Sequence, residues 1–100
     1  MFERFSFRNF DPPVDLESYA YSKLNWISEI TPSDSSITAD LERFGMGYRL
    51  KLQVASTAKT FSFEALANDA KVAIDRLEKR IGTALYEWHR KENTEMMAQL

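Results

Sequence analysis

Ser36-Ile37-Thr38-Ala39-Asp40-Leu41-Glu42-Arg43-Phe44-Gly45-Met46-Gly47-Tyr48-Arg49-Leu50-Lys51-Leu52-Gln53-Val54 is the stretch that decides the fold. Ile37, Ala39 and Leu41 fall on one side of an alternating run over 36–44. Tyr48, Leu50, Leu52 and Val54 fall on one side of a second run over 47–56, with Arg49, Lys51 and Gln53 opposite. A period of two is the mark of a strand with one face buried. Gly45-Met46-Gly47 between the runs reads as a hairpin turn. A third run, 59–66, puts Phe61, Phe63 and Ala65 on one face, and Thr57-Ala58-Lys59 supplies the turn before it.

On the N-terminal side, residues 3–10 also alternate. Phe5 and Phe7 point one way and Arg4, Ser6 and Arg8 the other. Asp11-Pro12-Pro13 ends this run: proline has no N–H for a ladder but suits a first helical turn, which an Asp ahead of it can cap. The period then changes. Leu16, Ala20, Leu24 and Ile27 recur at four, four and three, predicting an amphipathic helix over 13–30 that Thr31-Pro32-Ser33-Asp34 stops.

On the C-terminal side, Asn68-Asp69 offers a cap for a last helix. Ala70, Ala73, Leu77, Ile81, Ala84 and Trp88 form its apolar stripe, with Gly82 as a weak point in its interior. Residues 93–100 lack a strong pattern and are expected to be a short flexible tail after a single domain spanning 1–92. The order β-α-β-β-β-α predicts an α+β domain: a four-stranded sheet with two helices packed on one face, burying both helical stripes. Its other face is expected to be open and polar, as antiparallel sheets allow, and to carry Arg4, Arg8, Arg49, Lys51, Ser62 and Glu64.

Composition narrows the function classes. The chain has 100 residues, no cysteine and a formal charge of −2. Thiol catalysis, disulfides and thiolate metal sites are excluded together. His89 is the single imidazole and the glycines stand only at 45, 47 and 82, so neither a zinc signature nor a glycine-rich phosphate loop is present. No run approaches the ~18 apolar residues of a membrane span, and the first residues lack the pattern of a signal peptide. The expectation is a cytoplasmic protein that is not an enzyme, with no cofactor, membrane partner or small-molecule substrate. The charge is also unevenly placed: residues 1–68 sum to −2, residues 69–91 to +2 and residues 92–100 to −2. The last helix is the basic part. Arg76, Lys79 and Arg80 stand at i, i+3 and i+4 there, with Lys71 before them and Arg90 and Lys91 after.

The last helix is also where a family resemblance lies. Asn68-Asp69-Ala70-Lys71-Val72-Ala73-Ile74-Asp75-Arg76-Leu77 is similar to the strand exit and Ile-Asp-x-Leu segment of the ribosome hibernation promoting factor family, also called ribosome-associated inhibitors or sigma-54 modulation proteins. Leu16-Glu17-Ser18-Tyr19-Ala20-Tyr21-Ser22-Lys23-Leu24 resembles that family's first helix. The resemblance spans about residues 3–91 of a short form without a dimerisation domain. It implies a domain shaped like double-stranded-RNA-binding domains. It also implies a stress-response role: binding the small ribosomal subunit, on 16S ribosomal RNA, and inhibiting translation. Phosphate contacts are then expected from Lys23, Lys71, Arg76, Lys79, Arg80 and Lys91, and secondarily from Arg8, Arg49 and Lys51. Thr83, Glu87 and His89 stand where the family carries further basic residues. Thr83 and Glu87 motivate the alternative of a protein-interaction module or homodimer of the same fold.

Other readings of these residues remain open from sequence. The basic positions also fit a solvated helix face with pairs such as Asp75–Lys79 at i, i+4. Asp40 and Glu42 are expected to face solvent. Tyr19, Trp26, Tyr86 and Trp88 read as core or its rim, whereas Tyr21 lies off the main stripe and is the aromatic best placed for an exposed contact. Because the strand aromatics mostly share the core face, base stacking is not indicated, and backbone recognition is the expected RNA mode.

Overall fold

The computed structural model describes residues 2–31, 33–57 and 59–98, with side chains described from Glu3 to Trp88. Its elements are β1 (Phe2–Arg8), α1 (Val14–Ile30), β2 (Ser36–Phe44), β3 (Gly47–Ala55), β4 (Thr60–Ala67) and α2 (Ala70–Ala98). The strands form one sheet in the order β1-β2-β3-β4. β2–β3 and β3–β4 are antiparallel, but β1 runs parallel to β2, so the sheet is mixed. The reason is the crossover: α1 returns the chain across the sheet before β2 begins, which parallel strands require.

Alternation sorts the strands as expected. Ile37, Ala39 and Leu41 of β2, Leu50, Leu52 and Val54 of β3, and Phe61 and Ala65 of β4 are buried on one face. Ala20, Leu24 and Ile27 of α1 and Ala70, Ala73, Leu77 and Ile81 of α2 cover that face. Ile74 and Leu85 join the α2 stripe, which is broader than the four-and-three spacing marks out. Ile37, Leu41, Leu50 and Ile81 retain at most 1% exposure, and each such side chain contributes about 1.5–3 kcal/mol by leaving water.

The turns follow the chemistry of their residues. Phe44 pairs with Gly47, leaving Gly45-Met46 as a two-residue turn in which Gly45 takes φ +59, a conformation that favours glycine. Gly47 is needed for a different reason: a Cβ there would stand 2.6 Å from the backbone oxygen of Ala67. Ser56 and Lys59 close the next turn through Ser56 N–H to the Lys59 carbonyl at 3.0 Å and Lys59 N–H to Ser56 Oγ at 3.1 Å.

Asp69 caps α2, its Oδ1 accepting from the N–H groups of Lys71 at 2.9 Å and Val72 at 3.3 Å. The cap expected from Asp11 does not form. α1 begins one residue after Pro13, which occupies the cap position without a side-chain bond, and Asp11 lies two residues too early to reach the first turn. α2 has 29 residues, about 43 Å at 1.5 Å per residue, and outruns strands of nine residues. The backbone is helical through Ala98, whereas the side chains from His89 onward, with Lys91 and the expected tail at 93–100, lie outside the described residues.

Candidate nucleic-acid interface

The basic side chains separate into three groups. The first belongs to the seam between the helices. Lys23 on α1 points to α2, with Nζ 2.5 Å from Glu78 Oε2, an oxygen shielded from solvent. Beside it the Tyr19 hydroxyl donates to Asp75, and the ring of Tyr19 lies 5.2 Å from Lys23 Nζ and 4.9 Å from Lys71 Nζ. The hydrogen bond to Asp75 holds the Tyr19 phenol above its ordinary pKa, and that to Glu78 raises Lys23. Asp75 is the partner of the Tyr19 hydroxyl, and no Asp75–Lys79 ion pair forms among the described residues.

The second group lies along α2 toward β4. Arg76 Nη1 donates to the Leu66 carbonyl at 2.7 Å, and Arg80 Nη1 donates to the Glu64 carbonyl. The match is geometric: residues i and i+4 on a helix rise about 6 Å, and carbonyls two residues apart on a strand are separated by about 6.7 Å. Both arginines are exposed, and each guanidinium keeps donors beyond the one that binds the strand. Lys79 is exposed with no hydrogen-bond or ion-pair partner among the described residues. Thr83 and Glu87 share the surface of Lys79 and Arg80, so a carboxylate does stand within the basic ridge.

The third group, on the open sheet face, is largely neutralised by its neighbours. Arg8 Nε contacts Asp40 at 2.8 and 2.9 Å, and Arg8 Nη2 stands 3.2 Å from Glu42. The hydrogen bond that Arg8 donates to Asp40, then the negative charge of Asp40, raises the Arg8 pKa. Arg49 Nη2 lies 2.8 Å from the other oxygen of Glu42, and the Arg49 guanidinium covers the ring of Phe44 at 4.4 Å. Asp40 and Glu42 are therefore half-buried ion-pair partners instead of solvated carboxylates. Lys51 is the exception: it is exposed and unpaired among the described residues, in a shallow depression with Arg4, Ser6, Asp40 and Glu64.

The aromatic residues correct one expectation and extend another. Phe44 lies on the open face, out of phase with Ile37, Ala39 and Leu41, and is 50% exposed. Leu66 and Met46 beside it are 52% and 92% exposed. This apolar end of the open face was legible in the parity of the strands, but reading the aromatics as core conceals it. Tyr21 is exposed at the edge of β1, its hydroxyl 3.5 Å from the Phe5 carbonyl. No described helix is long and apolar enough to cross a membrane, and no group of potential metal ligands occurs among the described residues.

The chain superposes on two solved structures over most of its length. One is the Protein Y N-terminal domain of Thermus thermophilus, with a TM-score of 0.70 and 20% identity over 85% of this chain and 94% of that one. The other is a ribosomal subunit interface protein from Coxiella burnetii, with a TM-score of 0.73 and 17% identity over 90% of this chain and 99% of that one. No family model matches the chain, and no curated protein matches it. At these identities the likeness defines a shared fold. The resemblance read from residues 16–24 and 68–77 thus agrees with the three-dimensional structure.

Proposed function

We propose that this chain is a ribosome-associated factor of the hibernation type, acting in the cytoplasm without catalysis. It binds the small ribosomal subunit through phosphate contacts and inhibits translation. The observation that carries this reading is the shared fold, along nearly the whole chain, with a ribosomal subunit interface protein. The arrangement of α2 supports it: Lys71, Arg76, Lys79 and Arg80 are all exposed, and Lys91 follows further along the same helix. Lys79 and Lys51, which have no partner among the described residues, need break nothing to meet a phosphate. Arg76 and Arg80 have donors to spare. Arg8, Arg49 and Lys23 serve mainly to hold the domain together, because each is tied to a carboxylate.

A second reading, a protein-interaction or homodimeric module, draws on those same ion pairs and on Glu87 within the ridge. Co-sedimentation with isolated small subunits on sucrose gradients, across a salt series, separates the two. Ribosome docking predicts association at low salt that weakens as salt rises, and further weakening when Arg80 and Lys91 are both replaced by Glu. A chain absent from the ribosomal fractions at every salt concentration refutes it. A concentration-dependent dimer in the same preparation then favours the second reading.

A further inference from the structure

At the tip of the β2–β3 hairpin, a hollow of about 370 Å³ is walled by Phe44, Met46 and Leu66, with Asn68 and Arg76 on its polar side. Its floor is backbone, because Gly47 approaches Ala67 too closely for any side chain to intervene. All three apolar walls are at least half exposed, at 50%, 92% and 52%. The planar Arg49 guanidinium lies over the Phe44 ring and is held there by Glu42.

The lack of a carboxylate sets this hollow apart from the other clefts described, each of which has at least one and most of which also carry basic side chains. The depression on the open sheet face contains Asp40 and Glu64, and the cleft between the helix starts contains Asp11, Asp15 and Asp69. The groove beside Trp26 contains Glu29, and the surface beside Lys79 contains Glu87. The hairpin hollow has Arg76 in its lining and no carboxylate. A partner fitting these walls has a flat apolar face, polar edges within reach of an amide, and an attached anion. A nucleotide base with its phosphate meets all three requirements, and stacking of unpaired bases on aromatic rings is a general mode of single-strand binding. An apolar protein side chain would fill the walls and leave Arg76 without an anion.

We propose that the hairpin tip holds an unpaired RNA base, stacked at Phe44, with its phosphate on Arg76. This inference rests on the ribosomal reading above and assigns it a contact apart from the exposed lysines of α2. The test uses the full chain and isolated small ribosomal subunits. With benzoylphenylalanine placed at position 44, illumination of the complex yields a crosslink to ribosomal RNA. In co-sedimentation, Phe44→Leu, which keeps the apolar volume without the π face, weakens association about 5- to 100-fold, while Phe44→Trp retains it. Circular dichroism melting of both variants, at a half-exposed position, verifies that they are folded. A crosslink to ribosomal protein alone, or a Phe44→Leu variant that binds as the parent does, overturns the base-stacking inference and leaves ribosome docking intact. Absence of the parent chain from the ribosomal fractions overturns both.

Discussion

Gly82→Ala tests how tightly α2 is seated on α1. Gly82 lies in the interior of α2, and a Cβ built on it meets only Trp26 Cη2 at 3.8 Å, an ordinary van der Waals contact. Its φ is not positive, so alanine adopts the same backbone without strain. Two effects then add. The helix-propensity difference between glycine and alanine, which includes the lower entropy of the unfolded alanine chain, contributes about 0.8–1.0 kcal/mol. Partial burial of one methyl group against Trp26 contributes less than the ~0.8 kcal/mol of a fully buried methylene. The expected gain is about 1–1.5 kcal/mol, which for a domain of this size raises Tm by roughly 4–12 °C. Urea unfolding followed by tryptophan fluorescence measures it directly, because Trp26 faces the new methyl. An unchanged or lowered midpoint at constant m-value would show that the helices are closer at this point than 3.8 Å implies, and would refute the additive argument.

Other expectations concern single interactions. Asp69→Ala removes the acceptor for the Lys71 and Val72 N–H groups and lowers stability by about 0.5–2 kcal/mol in the same urea assay, whereas Asp69→Asn, also a good cap, loses less. Lys79→Ala leaves the urea midpoint unchanged and reduces the slope of log affinity against log salt by about 0.7–0.9 in small-subunit binding. Lys23→Ala does the reverse: it lowers the midpoint, because Glu78 Oε2 loses its cation, and leaves the salt slope unaltered. Asp34 accepts from Thr57 N–H at 3.0 Å and from its hydroxyl, and these bonds depress its pKa. A depressed carboxylate stabilises the fold above its unfolded pKa and loses that contribution as pH falls through the folded value. Urea midpoints measured down through the carboxylate range should therefore decline less in Asp34→Asn than in the parent.

What the sequence discloses follows from which partners are local. Strands β2, β3 and β4 are legible because alternation is a property of adjacent residues, and the Gly45 turn fixes how β2 faces β3. The α2 cap is legible because Asp69 and its two donors lie within three residues. The fate of the basic residues is not legible in the same way. Arg8 meets Asp40 only because β1 lies parallel to β2, with Arg8 opposite Glu42 and Ser6 opposite Asp40. The i, i+4 geometry of Asp75 and Lys79 is correct, yet a hydroxyl from α1 takes the carboxylate. Phe44 was within reach, since it is three residues beyond Leu41 and hence on the opposite face. Residue type pointed to the core where strand parity pointed to solvent.

The bonds from Arg76 and Arg80 to β4 bear on how the molecule keeps to itself. β4 is an outer strand, and its outward carbonyls form a template on which a strand from another chain can build. Two of them, at Glu64 and Leu66, are already occupied by side chains of the same molecule, and at the opposite margin Tyr21 stands over the Phe5 carbonyl. An incoming strand must evict the arginines before it can extend the sheet. An RNA phosphate that draws the same guanidiniums away removes that obstacle. Any ligand that captured this pair of side chains would therefore open the edge to strand addition instead of protecting it.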